Sequence, residues 1–458
     1  MSNNLTISII GAGSAMFSQG TIGDILLSDV LAAGSVDLRL MDIRPEHVAG
    51  VADFARRAAA QLGRRLALTV TTDLAAAVDG ADFVVTAFEE NRYFYWAQDF
   101  HIPRKYGFAQ IYGENGGPGG MFHALRNMGP LLAVAEAMTQ RCPQAWLINY
   151  SNPEAKLVQA VSTLTSIRAV GMCHGVFMGR EQVSKLLDVP EEEIVTEACG
   201  LNHFAWFQQI RHKATGEDLY PLLREKERQA HWLARWDELA LSRLLFRTFG
   251  LWPYPGTNHS GEYLRWAAPF MATEGMQYFY DPAAEDPWAS GRVPTFVYDL
   301  AGRPSESPLF GGATLGQIYP PSDEATDDDV LRSSGEAGVR IMEGIVGGGP
   351  QAIATVNVSN RGCIPGLPDG MVVEVPAIAD GEGLHPRQMA PLPTGITAML
   401  QLQGQINALL IEAYVERSRR KLLQALLIDP TVSSYQNAVA LIDEMCERQQ
   451  ALLPPLAW

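Results

Sequence analysis

In the first two hundred residues, short apolar runs alternate with longer segments whose apolar residues recur at helical spacing. Short runs of this kind indicate buried strands, and the longer segments indicate helices such as Pro45–Leu62 and Met128–Arg141. The predicted strands are Leu5–Ile10, Val36–Met41, Leu66–Thr71, Phe83–Ala87, Trp146–Asn149 and Ala169–Cys173. This alternation predicts parallel strands joined by right-handed crossovers, which is a doubly wound α/β sheet.

From about Gly200 the pattern becomes less regular, and Trp, Arg and Pro become more frequent. We predict a domain boundary there, with a doubly wound domain over residues 1–199 and an α+β domain over residues 200–458. Within the second domain, Ser305–Asp329 combines turn residues and acids with little periodicity, which predicts a surface loop or lid. The C-terminal segments predicted to be helical are Thr394–Arg417, Arg420–Leu427 and Tyr435–Leu453.

Composition narrows the class of protein. A hydrophobic content of 47% with 19% charged residues is typical of a folded enzyme, and the formal charge of -16 disfavours nucleic acid or an anionic membrane as partner. No apolar stretch is long enough to span a bilayer, and the N-terminus has no signal-peptide pattern. The cysteines number five and are scattered, which favours free thiols in a reducing cytoplasm.

The turn after the first strand carries the first candidate site. Gly11-Ala12-Gly13-Ser14 follows a strand and opens a helix, so the backbone could approach a pyrophosphate at the helix N-terminus. Met16 occupies the place of a third glycine, and a tight turn without a ligand would use the same glycines. Asp42 ends the second strand, where an acid commonly binds the ribose hydroxyls, although it could also cap the following helix. Together they predict NAD, rather than NADP, as the cofactor.

Three further polar segments follow predicted strands. Asn149-Tyr150-Ser151-Asn152-Pro153 lies where such sheets bind ligands, and could contact the cofactor through Asn149 and a sugar through Asn152, or form a simple turn. Cys173-His174 and Asn202-His203 each end an apolar run. A thiolate and an imidazole can bind a divalent metal in an open site, although both also occur as ordinary buried residues.

Other candidates lie outside the strand ends. The glycine-rich segment from Gly113 to Gly120 contains Glu114 and predicts a loop, either near a ligand or exposed to solvent. Arg126 could hold a substrate oxygen or pair with an acid. His259 and Tyr263 lie in a segment with three titratable groups, and a solvated helix face could carry the same residues.

In this order, the motifs resemble those of glycoside hydrolase family 4, the NAD- and divalent-metal-dependent glycosidases. The resemblance spans nearly the whole chain. It rests on Ile10-Gly11-Ala12-Gly13-Ser14, Gly116-Gly117-Pro118-Gly119-Gly120, Asn152-Pro153, Cys173-His174-Gly175-Val176, Gly200-Leu201-Asn202-His203, Asn360-Arg361-Gly362, Val373-Glu374-Val375-Pro376 and Leu392-Pro393.

The resemblance implies roles for individual residues. Cys173 and His203 would hold Mn²⁺ or another divalent metal, and His174 and Tyr263 would act as general acid and general base. Asn152 would contact the sugar, and the resemblance places Glu114, Arg126 and His259 with it on the substrate side. The fold implied is a Rossmann-like domain similar to lactate and malate dehydrogenases with a C-terminal substrate domain, assembled as a homodimer or homotetramer.

The reaction implied is oxidation of the sugar at C3, deprotonation at C2, 1,2-elimination, water addition and re-reduction, in contrast to glycosidases that use two carboxylates. His174 after the metal cysteine resembles the branch that acts on unphosphorylated α-glycosides, such as α-glucosidases or α-galactosidases. Gly175 is also similar to α-glucuronidases, so the sugar stays open. A 2-hydroxyacid dehydrogenase of the lactate/malate type and a catalytically idle NAD-binding protein are the competing interpretations.

Overall fold

The computed structural model describes residues 4–229, 239–270, 331, 333–335 and 337–458, so the predicted loop Ser305–Asp329 lies outside the described residues. In the described part the strands form one sheet of twelve. The strands are β1 Leu5–Ile10, β2 Ser35–Met41, β3 Arg65–Thr71, β4 Phe83–Thr86, β5 Trp146–Asn149, β6 Arg168–Gly171, β7 Ile194–Leu201, β8 Phe204–His212, β9 Trp252–Tyr254, β10 Gln351–Ser359, β11 Val372–Asp380 and β12 Gly383–Pro386.

The described residues also form α-helices, some packed on the sheet and others, such as the C-terminal helices, packed on other helices. They are α1 Ala15–Leu27, α2 Pro45–Gln61, α3 Leu74–Val78, α4 Arg92–Lys105, α5 Gly117–Arg141, α6 Glu154–Leu164, α7 Gly175–Leu187, α8 Tyr220–Gln229, α9 Ala240–Phe249, α10 Thr257–Gly261, α11 Ala337–Val346, α12 Thr394–Glu416, α13 Arg419–Ile428 and α14 Tyr435–Arg448.

The first six strands are parallel and lie in the order β3-β2-β1-β4-β5-β6. The inner strands β1, β4 and β5 are buried along most of their length, as expected when helices cover both faces. β3 at the edge is largely exposed. The predicted doubly wound sheet is therefore confirmed, and the carboxyl ends of these strands share one edge.

The sheet continues beyond β6 with strands from later parts of the chain. β10 pairs antiparallel with β6, and β11, β7, β8 and β9 follow. β7 runs from Ile194 to Leu201 and so spans residues 199 and 200, where we predicted the division. A change of sequence texture could not reveal this continuity, because residues distant in the chain form the pairing.

Several predicted elements need correction. The glycine-rich segment is a loop only up to Gly116, because α5 begins at Gly117 and includes the predicted helix Met128–Arg141 as its second half. A Cβ on Gly119 would lie 2.4 Å from the carbonyl oxygen of Asp99, so close backbone packing, rather than loop freedom, requires this glycine. Cys173 lies two residues beyond the end of β6.

The C-terminal helices pack within the chain. Apolar residues of α12, α13 and α14, including Leu410, Leu422 and Leu441, share a core with Leu125 and Met128 of α5. Among the described helices, none combines the length and the hydrophobicity that crossing a bilayer requires. The parallel strand ends and the loop before α5 then position the polar residues described next.

Candidate active site

The turn after β1 forms a backbone cradle. Gly11 has φ of 84°, and its amide donates to the carbonyl of Met41 over 2.9 Å. A Cβ at Gly11 would lie 2.5 Å from the carbonyl oxygen of Ala87, so only glycine fits this close crossing of β1 and β4. Ser14, at the N-cap of α1, is exposed and its side chain makes no capping hydrogen bond. The turn thus places a hydroxyl at the N-terminus of α1.

Asp42 is half-buried beside this turn. One carboxylate oxygen accepts the Gly13 amide over 2.9 Å, and the other accepts the Arg44 amide over 2.9 Å. A Cβ on Gly13 would lie 2.7 Å from the first of these oxygens. Because each carboxylate oxygen can accept more than one hydrogen bond, Asp42 can fix the turn and still accept a ligand hydroxyl.

Asn149 is fully buried at the end of β5. Its side chain accepts from the Thr86 hydroxyl over 2.9 Å and donates to the carbonyl of Ser151 over 2.9 Å. The Ser151 hydroxyl in turn accepts the Phe88 amide. These bonds join the ends of β4 and β5 and shape the segment that carries Asn152.

Asn152 connects this strand edge to the loop before α5. Its amide nitrogen lies 3.3 Å from Oε1 of Glu114, and Asn127 of α5 donates to its carbonyl over 2.7 Å. Glu114 is buried and also pairs with Arg92 of α4. Two of the predicted substrate residues, Asn152 and Glu114, are therefore in contact.

The buried carboxyl group of Glu262, which was not among the predicted site residues, organises this loop. Its Oε2 accepts three successive backbone amides, from Glu114, Asn115 and Gly116, over 2.6–2.9 Å. Successive amides around one anion form a nest, a geometry that only the folded backbone creates. Within the described part of the chain, Oε1 of Glu262 has no hydrogen-bond partner, and it lies 4.0 Å from Nδ1 of His203.

His203 lies in the tight turn between β7 and β8, with φ of 65°. Its Nδ1 is 3.0 Å from the side-chain nitrogen of Asn115, and its ring is 4.3 Å from that of His259 on α10. The side chains of Glu114, His203 and His259 each offer one ligand atom, and these atoms lie within 4.8 Å of one another. Three distant segments of the chain thus bring two imidazoles and a carboxylate together.

The charge states of this group suit a cation. Burial lowers the pKa of His203 to about 4, and burial together with His203 lowers the pKa of His259 to about 3. Burial works against the charge of Glu114, but Arg92 and the surrounding histidines hold the pKa of Glu114 below its usual value. Near neutral pH the site therefore offers neutral imidazoles and a carboxylate, which are the forms that bind metals.

Because of His203 and His259, we expect the metal-free protein to lose stability as the pH falls. Their pKa values in the folded chain, about 4 and about 3, lie below the value of about 6.5 expected when unfolded, so the unfolded chain binds more protons as pH falls below 6.5. We expect the free energy of unfolding to fall from pH 6.5 towards pH 4 by up to about 1.4 kcal/mol per pH unit for each imidazole.

Denaturant unfolding at several pH values in the presence of EDTA measures the slope of the unfolding free energy against pH. We expect the variant His259→Asn to have a shallower slope, and the matched variant His212→Asn, at a surface contact with Glu193, to keep the wild-type slope. A wild-type slope in His259→Asn would contradict the conclusion that the lowered pKa of His259 makes the stability depend on pH.

Cys173 and His174 follow β6 in the chain. Burial, and then the carboxylate of Glu374, raises the pKa of the Cys173 thiol to about 12, with Asn202 and the Gly175 amide opposing the shift. Asn202 precedes His203 and donates to Glu374 over 3.3 Å, so the cysteine and the histidine flank one side chain. His174 is exposed at the N-cap of α7.

Tyr263 is buried against Asn202 and Phe204, the residues on either side of His203 in the chain. Its hydroxyl donates to the carbonyl of Asn202 over 3.3 Å, and its ring stacks on Phe204 at 4.8 Å. The Lys156 ammonium lies 5.9 Å from the ring centre. Burial, and then the Glu262 carboxyl, raises the pKa of Tyr263 well above its usual value.

Arg126, predicted as a substrate residue, forms a buried ion pair with Asp99. Both of its terminal nitrogens donate to the carboxylate of Asp99, over 2.8 and 2.6 Å, and one also donates to Gln449 after α14. Both charged side chains are at most 3% exposed. All of these contacts are within the protein.

Comparisons with known proteins place this chain in one family. Residues 6–189 match the family model for family 4 glycosyl hydrolase, and residues 198–432 match that for the family 4 glycosyl hydrolase C-terminal domain. An alpha-glucosidase of Erwinia rhapontici is 31% identical over 98% of both chains, and an alpha-galactosidase of Bacillus subtilis is 28% identical over 98% of this chain and 99% of its own.

Among solved structures, a 6-phospho-alpha-glucosidase from gut microorganisms in complex with NAD and Mn²⁺ is similar in fold, with a TM-score of 0.76. It is 21% identical, and the match covers 99% of this chain and 100% of that chain. The likeness at this identity concerns the fold alone. The matched family models and the glucosidase relative show that this chain belongs to the family 4 glycosyl hydrolases and is a glycosidase.

Proposed function

We propose that this glycosidase hydrolyses unphosphorylated α-glycosides, of the α-glucosidase or α-galactosidase type, with NAD and a divalent cation such as Mn²⁺ as cofactors. The observation that carries the proposal is the contact between Asn152 and Glu114. Asn152 lies at the sheet edge that also carries the Gly11 turn, and its contact with Glu114 connects this edge to the Glu114–His203–His259 group. A sugar bound there could therefore contact a nicotinamide and a cation at the same time.

The residues present fit both cofactors. At Gly11 the backbone crosses that of Ala87 too closely for any Cβ, which keeps the turn tight, and Asp42 lies beside this turn as an acceptor. For the cation, His203 is a buried imidazole near Oε1 of Glu262, which has no hydrogen-bond partner among the described residues, and the Cys173 thiol contacts the side chain of Asn202, the residue before His203. When bound, NAD supplies a reversible hydride acceptor for the sugar C3, and the cation supplies a Lewis acid.

The remaining chemistry is assigned to side chains of this chain. Asn152 orients the sugar by donating to and accepting from its hydroxyls. Tyr263 accepts the proton of C2 once C3 has been oxidised, and the bond from C1 to the leaving oxygen then breaks. His174 protonates that oxygen from its exposed position at the start of α7. Water then adds at C1, and reduction at C3 regenerates the sugar.

The preference for an unphosphorylated sugar rests on the cations of the described part of the site. A phosphoryl group is usually bound by arginine or lysine side chains. Here Arg92 pairs with Glu89 and Glu114, and Lys156 donates to the carbonyl of Asn115. Both cations already have partners within the protein. The α-glucuronidase alternative differs only in the sugar, and a lactate/malate-type dehydrogenase would instead consume NAD⁺ stoichiometrically.

A substrate screen tests this function. We expect hydrolysis of p-nitrophenyl α-glucoside or α-galactoside that requires Mn²⁺ and only catalytic amounts of NAD⁺, with no net rise in absorbance at 340 nm. A substrate deuterated at C2 should lose its label to water during turnover. Cleavage of the glucuronide alone, or of phosphorylated sugars alone, would refute the substrate assignment, and full retention of the label would refute elimination.

A further inference from the structure

We infer that Glu114 and His259, together with His203, are protein ligands of the divalent cation. This inference rests on the proposed function for the presence of the cation. It assigns Glu114 and His259 to the metal, whereas the sequence predicted them only as substrate residues. The ligand atoms of the three side chains lie within 4.8 Å of one another, close enough for one ion to reach all three after a small contraction.

Each ligand comes from a different element and is held in place by neighbours. Glu114 precedes α5, and its own backbone amide donates to Glu262 over 2.9 Å. His203 is fixed by the left-handed turn between β7 and β8. His259 belongs to α10, and its ring lies 4.8 Å from that of Tyr112. A metal site needs ligands oriented in this way by a supporting shell of contacts.

A second observation points to a cation here. Oε1 of Glu262 is buried and has no hydrogen-bond partner in the part of the chain that the structure describes, and it lies 4.0 Å from Nδ1 of His203. Glu114 and Glu262 thus bring two carboxyl groups to the same buried imidazole. Positive charge between them would offset both the repulsion and the missing partner.

The donor set fits the ion. Two imidazoles and one carboxylate form a triad that leaves positions open for other ligands on a metal of about six-fold coordination. His259 is half-buried whereas the other two side chains are buried, so the open positions face the accessible side of the group. A thiolate at Cys173 and two sugar hydroxyls would complete such a shell.

Metal binding can be measured without turnover. We expect Glu114→Gln and His259→Asn each to weaken Mn²⁺ binding at least tenfold, and we expect the same of His203→Asn. Calorimetric titration of the substrate-free protein measures the affinity. The matched variants Glu193→Gln and His212→Asn alter a surface Glu–His contact and should leave the affinity unchanged. Wild-type affinity in both Glu114→Gln and His259→Asn would overturn the inference and leave the proposed function intact.

A measurement on the wild-type protein keeps the inference testable if a buried substitution prevents folding. Electron spin-echo spectroscopy of bound Mn²⁺ should detect two histidine nitrogens, and these should respond to ¹⁵N-labelled histidine. One coordinated histidine nitrogen would overturn the inference. A wild-type protein that binds no Mn²⁺ would overturn both the inference and the proposed cofactor.

Discussion

Replacing Tyr263 by Phe is expected to lower kcat by roughly 10²- to 10⁴-fold, the usual contribution of a general base. The ring would keep its stacking on Phe204, and only the 3.3 Å hydrogen bond to Asn202 would be lost. A bond of this kind contributes about 1 kcal/mol, so the fold should persist. Steady-state hydrolysis and loss of deuterium from C2 measure the effect, and both should fall together.

The pH dependence of the wild-type enzyme gives a second readout of the same residue. Burial raises the pKa of Tyr263, so the phenol stays protonated in the metal-free site. A cation bound at His203 would favour the phenolate, because opposite charge stabilises the ionised form. We therefore expect kcat to rise with pH. The rise should be smaller with a bound cation that stabilises the phenolate less.

The matched control for this variant is Tyr220→Phe. Tyr220 is also buried, but its hydroxyl donates to the carbonyl of Phe207, in a separate apolar cluster. Turnover should change little there. Wild-type deuterium exchange in Tyr263→Phe would exclude Tyr263 as the base, whatever happens to the overall rate.

Replacing Arg126 by Met is expected to lower the free energy of unfolding by about 3–5 kcal/mol, because it leaves the buried Asp99 carboxylate unpaired. The pair is bidentate and almost fully buried. Gln449 contacts both side chains, so the pair also attaches the residue after α14 to α4 and α5. We propose that Arg126 stabilises the fold and does not contact the substrate.

Denaturant unfolding of a double-mutant cycle tests this. The double variant Arg126→Met with Asp99→Leu should recover part of the loss, because no buried charge is then left alone. Arg56→Met, which removes an exposed pair with Asp53, should cost less than about 1 kcal/mol. If Arg126→Met instead raised KM strongly and left stability unchanged, the substrate role implied by the sequence would be correct.

Much of the fold was accessible from periodicity. The parallel strands β1 to β6 agree with the predictions to within about two residues at each end. The buried strands are apolar runs, and the outer strands β2 and β3 keep an alternation of apolar and polar residues. The helix Gly117–Arg141 was recognised only over its second half, since glycines usually indicate a loop. Here they are needed for contact with Asp99 and Asn115, which lie behind the helix start.

The site was accessible only in part. His203, His259, Glu114 and Asn152 were selected as candidates from their residue types and positions. Glu114, His203 and His259 form one group because the turn between β7 and β8 and the short helix α10 meet the loop before α5. No local sequence pattern encodes that meeting. Glu262 is adjacent to Tyr263 in the chain, and nothing in the sequence distinguishes it from a solvated acid.

The sequence by itself determined the parallel sheet, the glycine turn with its acid, and the family, since these depend on short-range pattern and on the order of motifs. The tertiary structure alone decided how the two halves share one sheet, that Arg126 pairs with Asp99, and which side chains surround His203. The reason is physical. Apolar periodicity is set by neighbours along the chain. Charge pairing and ligand geometry arise between separate segments, such as Asp99 and Arg126, 27 positions apart, or Glu114 and Glu262, 148 positions apart.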